Sequence, residues 1–465
     1  MTAPLPLSEL QDVSSRRRPH VLLTNEFELY ALTALLLFAP LAFGAVEPWA
    51  IFVLQATSAA LAGLWVFRQI RSGCLTVRWN PVFLPLFAFA ALNAIQLLPG
   101  LSGYRHDTSS ALLLNAAYGL VCFLFSQVLD RTTHLRKLTV TFTVYGSAVA
   151  LFAVLQGLNS PTKLYWLRTP RFGGWIYGPY VNHNHYAGLM EMLTPIPLVF
   201  AFSRYAHGKK KWLAALAAAF MGASVFLSGS RGGMAALAVE MGIFLWFLFH
   251  ERTRNRIALL LGAFFLIGAA SIAYAGGAEV ASRLSTIADY RHPDVSANLR
   301  LKIAHDCLTM FRARPLLGWG MGTFADVYPS FRSFYMSSFI NAAHNDYLQL
   351  LTETGIAGFG IMVWFLIAVI RPALRKTKNW PSDVNGMVSL AALLGITGIL
   401  IHSTVDFNLQ IPANAMLFFT LCAVAALDPR FRNLRREQRP RNAQLATDLE
   451  ENLSESVAPS ASNSI

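Results

Sequence analysis

Charge is scarce in this chain. Of its 465 residues, 14% are Asp, Glu, Lys or Arg and 54% are hydrophobic. Soluble domains carry about 25% charged residues, so a water-exposed globular protein is excluded. Cysteine is scarce too: Cys74, Cys122, Cys307 and Cys422 are scattered without CxxC spacing. That leaves neither a disulfide framework nor a thiolate metal site. No two aspartates stand in a DxD pair, and no glycine-rich nucleotide loop occurs, so nothing here suits a metal-bound nucleotide sugar or ATP. The net charge of +13 would suggest a nucleic-acid partner in a soluble protein. Here the charges lie between apolar runs, where they report membrane orientation instead.

Long apolar runs are what the chain has in abundance, many of them roughly 17–23 residues long and able to cross a bilayer. They cover residues 29–44, 49–67, 81–98, 111–128, 138–158, 185–202, 212–227, 234–249, 257–274, 348–370, 387–401 and 412–427. The pattern predicts an all-α polytopic membrane protein with about twelve transmembrane helices. Residues 1–28 form a polar lead too long for a signal peptide. Nine spans occupy 29–275, a long loop 276–346 and three spans 347–428. The tail, 429–465, has the composition of disordered chain. Lys and Arg concentrate in alternate short connections, for example Arg131, Arg136 and Lys137, then Lys209, Lys210 and Lys211. This places both termini inside and the long loop outside.

One stretch stands apart: Ala343, His344, Asn345, Asp346 and Tyr347, where the long loop meets the tenth run. Crossing a bilayer needs no such cluster of imidazole, amide, carboxylate and phenol, so it reads as the reacting edge of an enzyme at the membrane surface. Three further features fall on the same outer side. Ser228, Gly229, Ser230, Arg231, Gly232 and Gly233 make a tight turn between the seventh and eighth spans. Its glycines admit a ligand to the backbone, and the next helix start together with Arg231 suits phosphate. The plainer reading is a turn with one snorkelling arginine. In the long loop, residues 296–314 have helical spacing, with Leu299, Ile303, Cys307 or Leu308, Met310 and Phe311 on one face and Arg300 and Lys302 beside it. An amphipathic helix on the outer membrane surface would give this pattern; a solvated face carrying one more basic residue is the plainer account of Arg300. Asn182, His183, Asn184 and His185 open the sixth span and suit helix capping and sugar hydrogen bonds better than zinc. Glu191, Glu240 and Asp406 fall within or beside spans, where carboxylates are costly; pairing, or support of the outward arginines, is favoured over proton coupling.

These motifs, in this order, resemble the O-antigen ligase/polymerase family. The resemblance rests on the turn at Arg231, an arginine ahead of Pro315, Leu316, Leu317, Gly318, Trp319, Gly320, Met321 and Gly322, and the run from Ala343 through Glu353 to Gly355. Residues 182–187 and Asp406, Phe407, Asn408, Ile411 and Pro412 fit as well, so the likeness covers most of residues 40–427. It implies a GT-C-like architecture without metal or cofactor. It also implies transfer of glycan from an undecaprenyl-pyrophosphate carrier to an acceptor hydroxyl on the periplasmic face of the inner membrane. The acceptor classes are lipid A core, growing polysaccharide and protein. The resemblance assigns His344 as the essential histidine and Arg231 and Arg300 to the pyrophosphate, though Arg291, Arg312 and Arg314 share the loop with Arg300. Asn345, Asp346, Tyr347, Asn184, His185 and Asp406 are expected to support them.

Residue chemistry agrees with that expectation. A sugar pyrophosphate already holds its leaving group, so placement and charge neutralisation are the main requirements. Two arginines can neutralise the departing group without a metal ion. Imidazole is the side chain suited to taking a hydroxyl proton near neutral pH. In-line attack would invert the anomeric centre. The rival reading is a polytopic transporter or flippase of lipid-linked oligosaccharide, but the two related halves with paired broken helices common in transporters are not apparent.

Overall fold

The computed structural model describes residues 18–160, 162–170, 174–251, 297–336 and 339–427. Among these the chain is helical, with two isolated β-bridges and no strand. The helices are α1 (Arg18–Leu41), α2 (Pro48–Ser72), α3 (Phe83–Gln96), α4 (Arg105–Val128), α5 (Thr132–Asn159), α6 (His183–Leu193), α7 (Pro195–Phe202), α8 (Gly208–Ser228) and α9 (Arg231–His250). Then come α10 (Ala297–Ala313), α11 (Asp346–Thr377), α12 (Val384–His402) and α13 (Pro412–Ala426). Of these, α2, α4, α5, α8, α9, α11 and α12 are long and apolar enough to cross a membrane, while α3 and α13 are apolar but shorter. The protein is thus an all-α polytopic membrane protein. The most enclosed elements are α6, α7, α12 and α13, which pack on one another while α4, α5, α8, α9 and α11 surround them.

Two apolar runs differ from their expected form. The first run, residues 29–44, is divided between α1 and a 3-10 turn at Phe43–Ala45. Helix α1 begins at Arg18, inside the stretch read as a polar lead, and is not among the helices apolar enough to cross. Helix continues through Glu28 because its buried carboxylate meets Arg68 Nη2 at 2.9 Å. The sixth run is divided into α6 and α7 at Thr194, where Pro195 and Pro197 bring no N–H to the helical ladder. The expected ninth span, residues 257–274, the first part of the long loop and the tail 429–465 lie outside the described residues.

The long helix α11 is broken at Gly355, whose backbone (φ 63°, ψ −165°) leaves the helical range. The chain after α10 fills the break. The N–H groups of Ile356 and Ala357 donate to the carbonyls of Pro315 (2.9 Å) and Leu316 (3.2 Å). Those of Trp319 and Gly320 donate to the carbonyls of Thr352 (3.0 Å) and Glu353 (2.9 Å). Gln96, at the end of α3, donates to the carbonyls of Leu317 (2.6 Å) and Glu353 (2.8 Å) and accepts from Met321 N–H (3.0 Å). Backbone groups freed by a break at membrane depth must be satisfied inside the protein, and here they are. Gly318 (φ 67°) sits so close that a Cβ would lie 2.4 Å from the Glu353 carbonyl carbon. Gly318→Ala is therefore expected to destabilise the protein by about 2–4 kcal/mol through backbone strain and overpacking. Thermal unfolding in detergent measures this; an unchanged midpoint would show that the loop tolerates a side chain.

Helix α10 does form where the periodicity placed it, but its apolar face is covered by protein. Ile303, Cys307 and Met310 join Phe324, Val327, Tyr328, Ile340 and Ala343 in one buried cluster, with Leu299 and Leu348 at its margin. The expectation of a face reserved for lipid is corrected on this point. On the opposite side Leu301 is exposed, at 67%, together with Lys302, His305 and Leu308.

Candidate functional site

Three helix starts build the site. Helix α8 ends with Gly229 in the left-handed region (φ 76°), and Ser230 then caps α9 by accepting from Gly233 N–H (3.1 Å). Arg231 thereby becomes the first residue of α9. At α6, Asn182 caps by accepting from Asn184 N–H (2.9 Å), so His183, Asn184 and His185 occupy the opening turn. At α11, Asn345 accepts from both Tyr347 and Leu348 N–H groups, each at 3.0 Å. His344, immediately before this cap, has φ 52°, a left-handed conformation that a non-glycine residue holds only under constraint.

The starts of α6 and α9 meet at a polar cavity of about 30 Å³ lined by His183, Asn184, Arg231, Arg300, His402 and Asp406, with Gly229, Gly232 and Val405. His344 and the start of α11 do not line it and reach it only through Asp406. Arg231 on α9 and Arg300 on α10 therefore face one space despite their separation in sequence. Among the described residues no carboxylate pairs with either guanidinium, and Arg300 Nε is buried without a hydrogen-bond partner. The competition within the loop is resolved for Arg314, whose guanidinium lies 4.1 Å from the Trp319 ring and donates to the Leu101 carbonyl (2.8 Å). Arg312 is exposed and does not line the cavity, and Arg291 lies outside the described residues.

Asp406 is the junction. Its Oδ2 accepts from Asn184 Nδ2 (2.5 Å). Its Oδ1 accepts from Phe407 N–H (2.8 Å) and stands 3.8 Å from both His185 Nε2 and His344 Nδ1. The Phe407 ring meets both imidazoles edge to face, with centroids 4.7 Å from His185 and 4.9 Å from His344. Burial would push the Asp406 carboxyl up, but the imidazoles of His185 and His344 facing it, with His402 nearby, outweigh burial and hold it well below the usual carboxylate range. The carboxylate thus faces two rings without hydrogen-bonding either, and His344 is the more open of them, with 17% of its side chain exposed against 8% for His185.

The remaining expected supports act beneath the cavity. Asp346 Oδ2 accepts from Ser403 Oγ (2.7 Å) and Leu409 N–H (3.0 Å), and Asp346 N–H donates to the Ser403 carbonyl (3.0 Å). Asn345 Nδ2 donates to the Thr404 carbonyl (2.8 Å), and Tyr347 hydroxyl to that of Leu400 (2.6 Å). Together they fasten the start of α11 to the chain carrying Asp406. Among the intramembrane acids, Glu191 pairs with His402 Nδ1 at 2.8 Å, whereas both Glu240 oxygens are buried without a hydrogen-bond partner among the described residues. His402 escaped the sequence reading; its position four residues before Asp406, at the end of an apolar run, was the available signal. No three His, Cys, Asp or Glu side chains form a metal-holding group among the described residues.

Residues 216–365 match the family model described as O-antigen ligase, a segment containing Arg231, Arg300 and His344. Across 377 residues the chain is 22% identical to the exopolysaccharide production protein ExoQ of Rhizobium meliloti, covering 77% of this chain and 76% of that protein. It is 26% identical over 191 residues to an uncharacterised protein of Haemophilus influenzae, covering 38% of this chain and 46%, less than half, of its relative. With that match inside a polytopic helical frame, the chain is similar to the O-antigen ligase/polymerase family over residues 216–365.

Proposed function

We propose that the protein is a glycosyltransferase of polysaccharide assembly. It moves a glycan from an undecaprenyl-pyrophosphate carrier to an acceptor hydroxyl on the periplasmic face of the inner membrane. Arg231 and Arg300 hold the diphosphate. His344, oriented by Asp406, takes the hydroxyl proton as the acceptor oxygen forms its bond to the anomeric carbon. The anomeric carbon–phosphate oxygen bond breaks with inversion, and undecaprenyl pyrophosphate departs with the bonding pair. The guanidiniums neutralise the charge that develops there, a role electrostatic preorganisation fills without a metal ion. The observation that carries this reading is the shared cavity: two guanidiniums, with no paired carboxylate among the described residues, face it, and Asp406, which also lines it, stands 3.8 Å from the His344 imidazole. The acceptor belongs to one of three classes: lipid A core, growing polysaccharide or protein.

The test is transfer by purified protein from a defined undecaprenyl-pyrophosphate glycan to each acceptor class, with and without EDTA. Product is expected to form and to survive chelation. Loss on chelation that magnesium or manganese restores would overturn the two-arginine account. Movement of labelled donor across reconstituted vesicles, with no product, would favour the flippase reading instead. Sidedness is checked separately: alkaline phosphatase fused after Gly276 is expected to be active and fused after Lys211 inactive, and the reverse would put the cavity on the cytoplasmic side.

A further inference from the structure

We infer that His402 is a third anion-binding residue of this cavity, and that Glu191 is the positioning residue that holds its ring. The inference rests on the reading of the cavity as a diphosphate site. His402, the last residue of α12, lines the same space as Arg231 and Arg300. Its side chain is 1% exposed, and Nδ1 stands 2.8 Å from Glu191 Oε1 on α6. With Nδ1 committed to that carboxylate, the opposite ring nitrogen is turned toward the start of α9. A Cβ built on Gly232 would lie 2.7 Å from Nε2, so glycine beside Arg231 is what admits the ring.

Glu191 is wholly buried, and its other oxygen has no hydrogen-bond partner among the described residues. A carboxylate in that setting calls for a cationic partner, and His402 is the partner the geometry supplies. An imidazolium held through Nδ1–H then presents Nε2–H as a charged donor beside Arg231. A diphosphate has more acceptor oxygens than two guanidiniums satisfy, so a third cationic donor has a place to act. The charged and titratable groups around the ring come from every neighbouring element. They are Glu191 and His183 on α6, Arg231 and Glu240 on α9, Arg300 on α10, Asp346 on α11 and Asp406 in the loop after α12.

The probe is inorganic pyrophosphate, used as an inhibitor of glycan transfer by the intact protein from about pH 5.5 to 8.5, the range in which an imidazole changes charge. For each variant the ratio of its inhibition constant to that of wild type is followed, because the probe's own titration cancels in the ratio. His402→Gln and Glu191→Gln are expected to show a ratio of about ten at low pH, falling toward one as the wild-type ring loses its proton. The KM for the lipid-linked donor is expected to rise more than kcat falls. Arg231→Ala is expected to show a raised ratio that does not depend on pH. His402→Gln and Glu191→Gln ratios near one at every pH, with Arg231→Ala raised, would overturn the role of His402 alone. All three near one would overturn the diphosphate reading of the cavity. A ratio that is raised but flat with pH in both histidine-pair variants would show a neutral, structural role. If His402→Gln fails to fold, Glu191→Gln, which keeps the ring, decides by the same criterion.

Discussion

His344→Ala is expected to lower glycan transfer by about 10²–10⁴-fold, the range typical for a lost general base, while the protein still folds and inserts. The expectation follows from position. His344 precedes the cap of α11, takes a left-handed backbone and is turned toward Asp406 Oδ1 at 3.8 Å. A residue kept only for the cap would be replaceable, because the capping oxygen belongs to Asn345. His344→Asn is the informative companion, since asparagine tolerates the left-handed region and preserves a polar side chain but cannot take a proton. It is expected to be as inactive as alanine. His185 stands at the same distance from the same carboxylate oxygen but is more buried, so His185→Ala is expected to cost less. Transfer near the wild-type rate by His344→Asn or His344→Gln would remove the base from the mechanism and leave the arginines as the supported part of the site.

Arg231→Ala and Arg300→Ala are each expected to lower kcat by about 10²–10³-fold, the cost of losing one preorganised donor to developing charge. Lysine is expected to rescue poorly at either position, because it replaces a planar fork with a point charge. The two arginines act on one leaving group, so the double variant is expected to lose less than the product of the single losses. Single-turnover rates with a lipid-linked donor measure all three. Strict multiplicativity would mean that the guanidiniums serve separate ligands, and full activity of Arg300→Lys would mean that a diffuse positive field suffices.

The sequence conveyed the frame well because a bilayer leaves little freedom: a stretch must be apolar for about 20 residues to cross it. It conveyed the ends of that frame poorly where a charge is neutralised from afar, as Arg68 does for Glu28. The break at Gly355 was illegible for a related reason. The glycine lies in an apolar run with other glycines, and the groups that fill the gap, the carbonyls of Pro315 and Leu316 and the N–H groups of Trp319 and Gly320, come from a distant stretch. Asp406 was visible as an acid beside a span, but its partners arrive from α6 and from the start of α11, and no local pattern announces them. Arg300 became distinguishable from Arg314 only when Arg314 was found stacked on Trp319. His402 was missed because a single histidine ending an apolar run carries no mark of the glutamate across from it.

The filled break in α11 bears on how the two substrates are felt by one another. Arg300 rides on α10, and the chain leaving α10 is keyed into α11 at Gly355, eleven residues beyond His344 along the same helix start. Ala343, next to His344, is also packed with Ile303, Cys307 and Met310 of α10. Arg300 and His344, the residues proposed to hold the donor's phosphates and to act as the base, are thereby mounted on elements joined at two points. On the proposed roles, a donor that drew Arg300 inward would carry His344 with it, so that occupancy at one end would be registered at the other. Linkage makes the effect mutual: whatever factor a bound donor adds to acceptor affinity, a bound acceptor returns to the donor. Such a coupling would favour an order of loading in which the base reaches its working position only once the carrier lipid is in place.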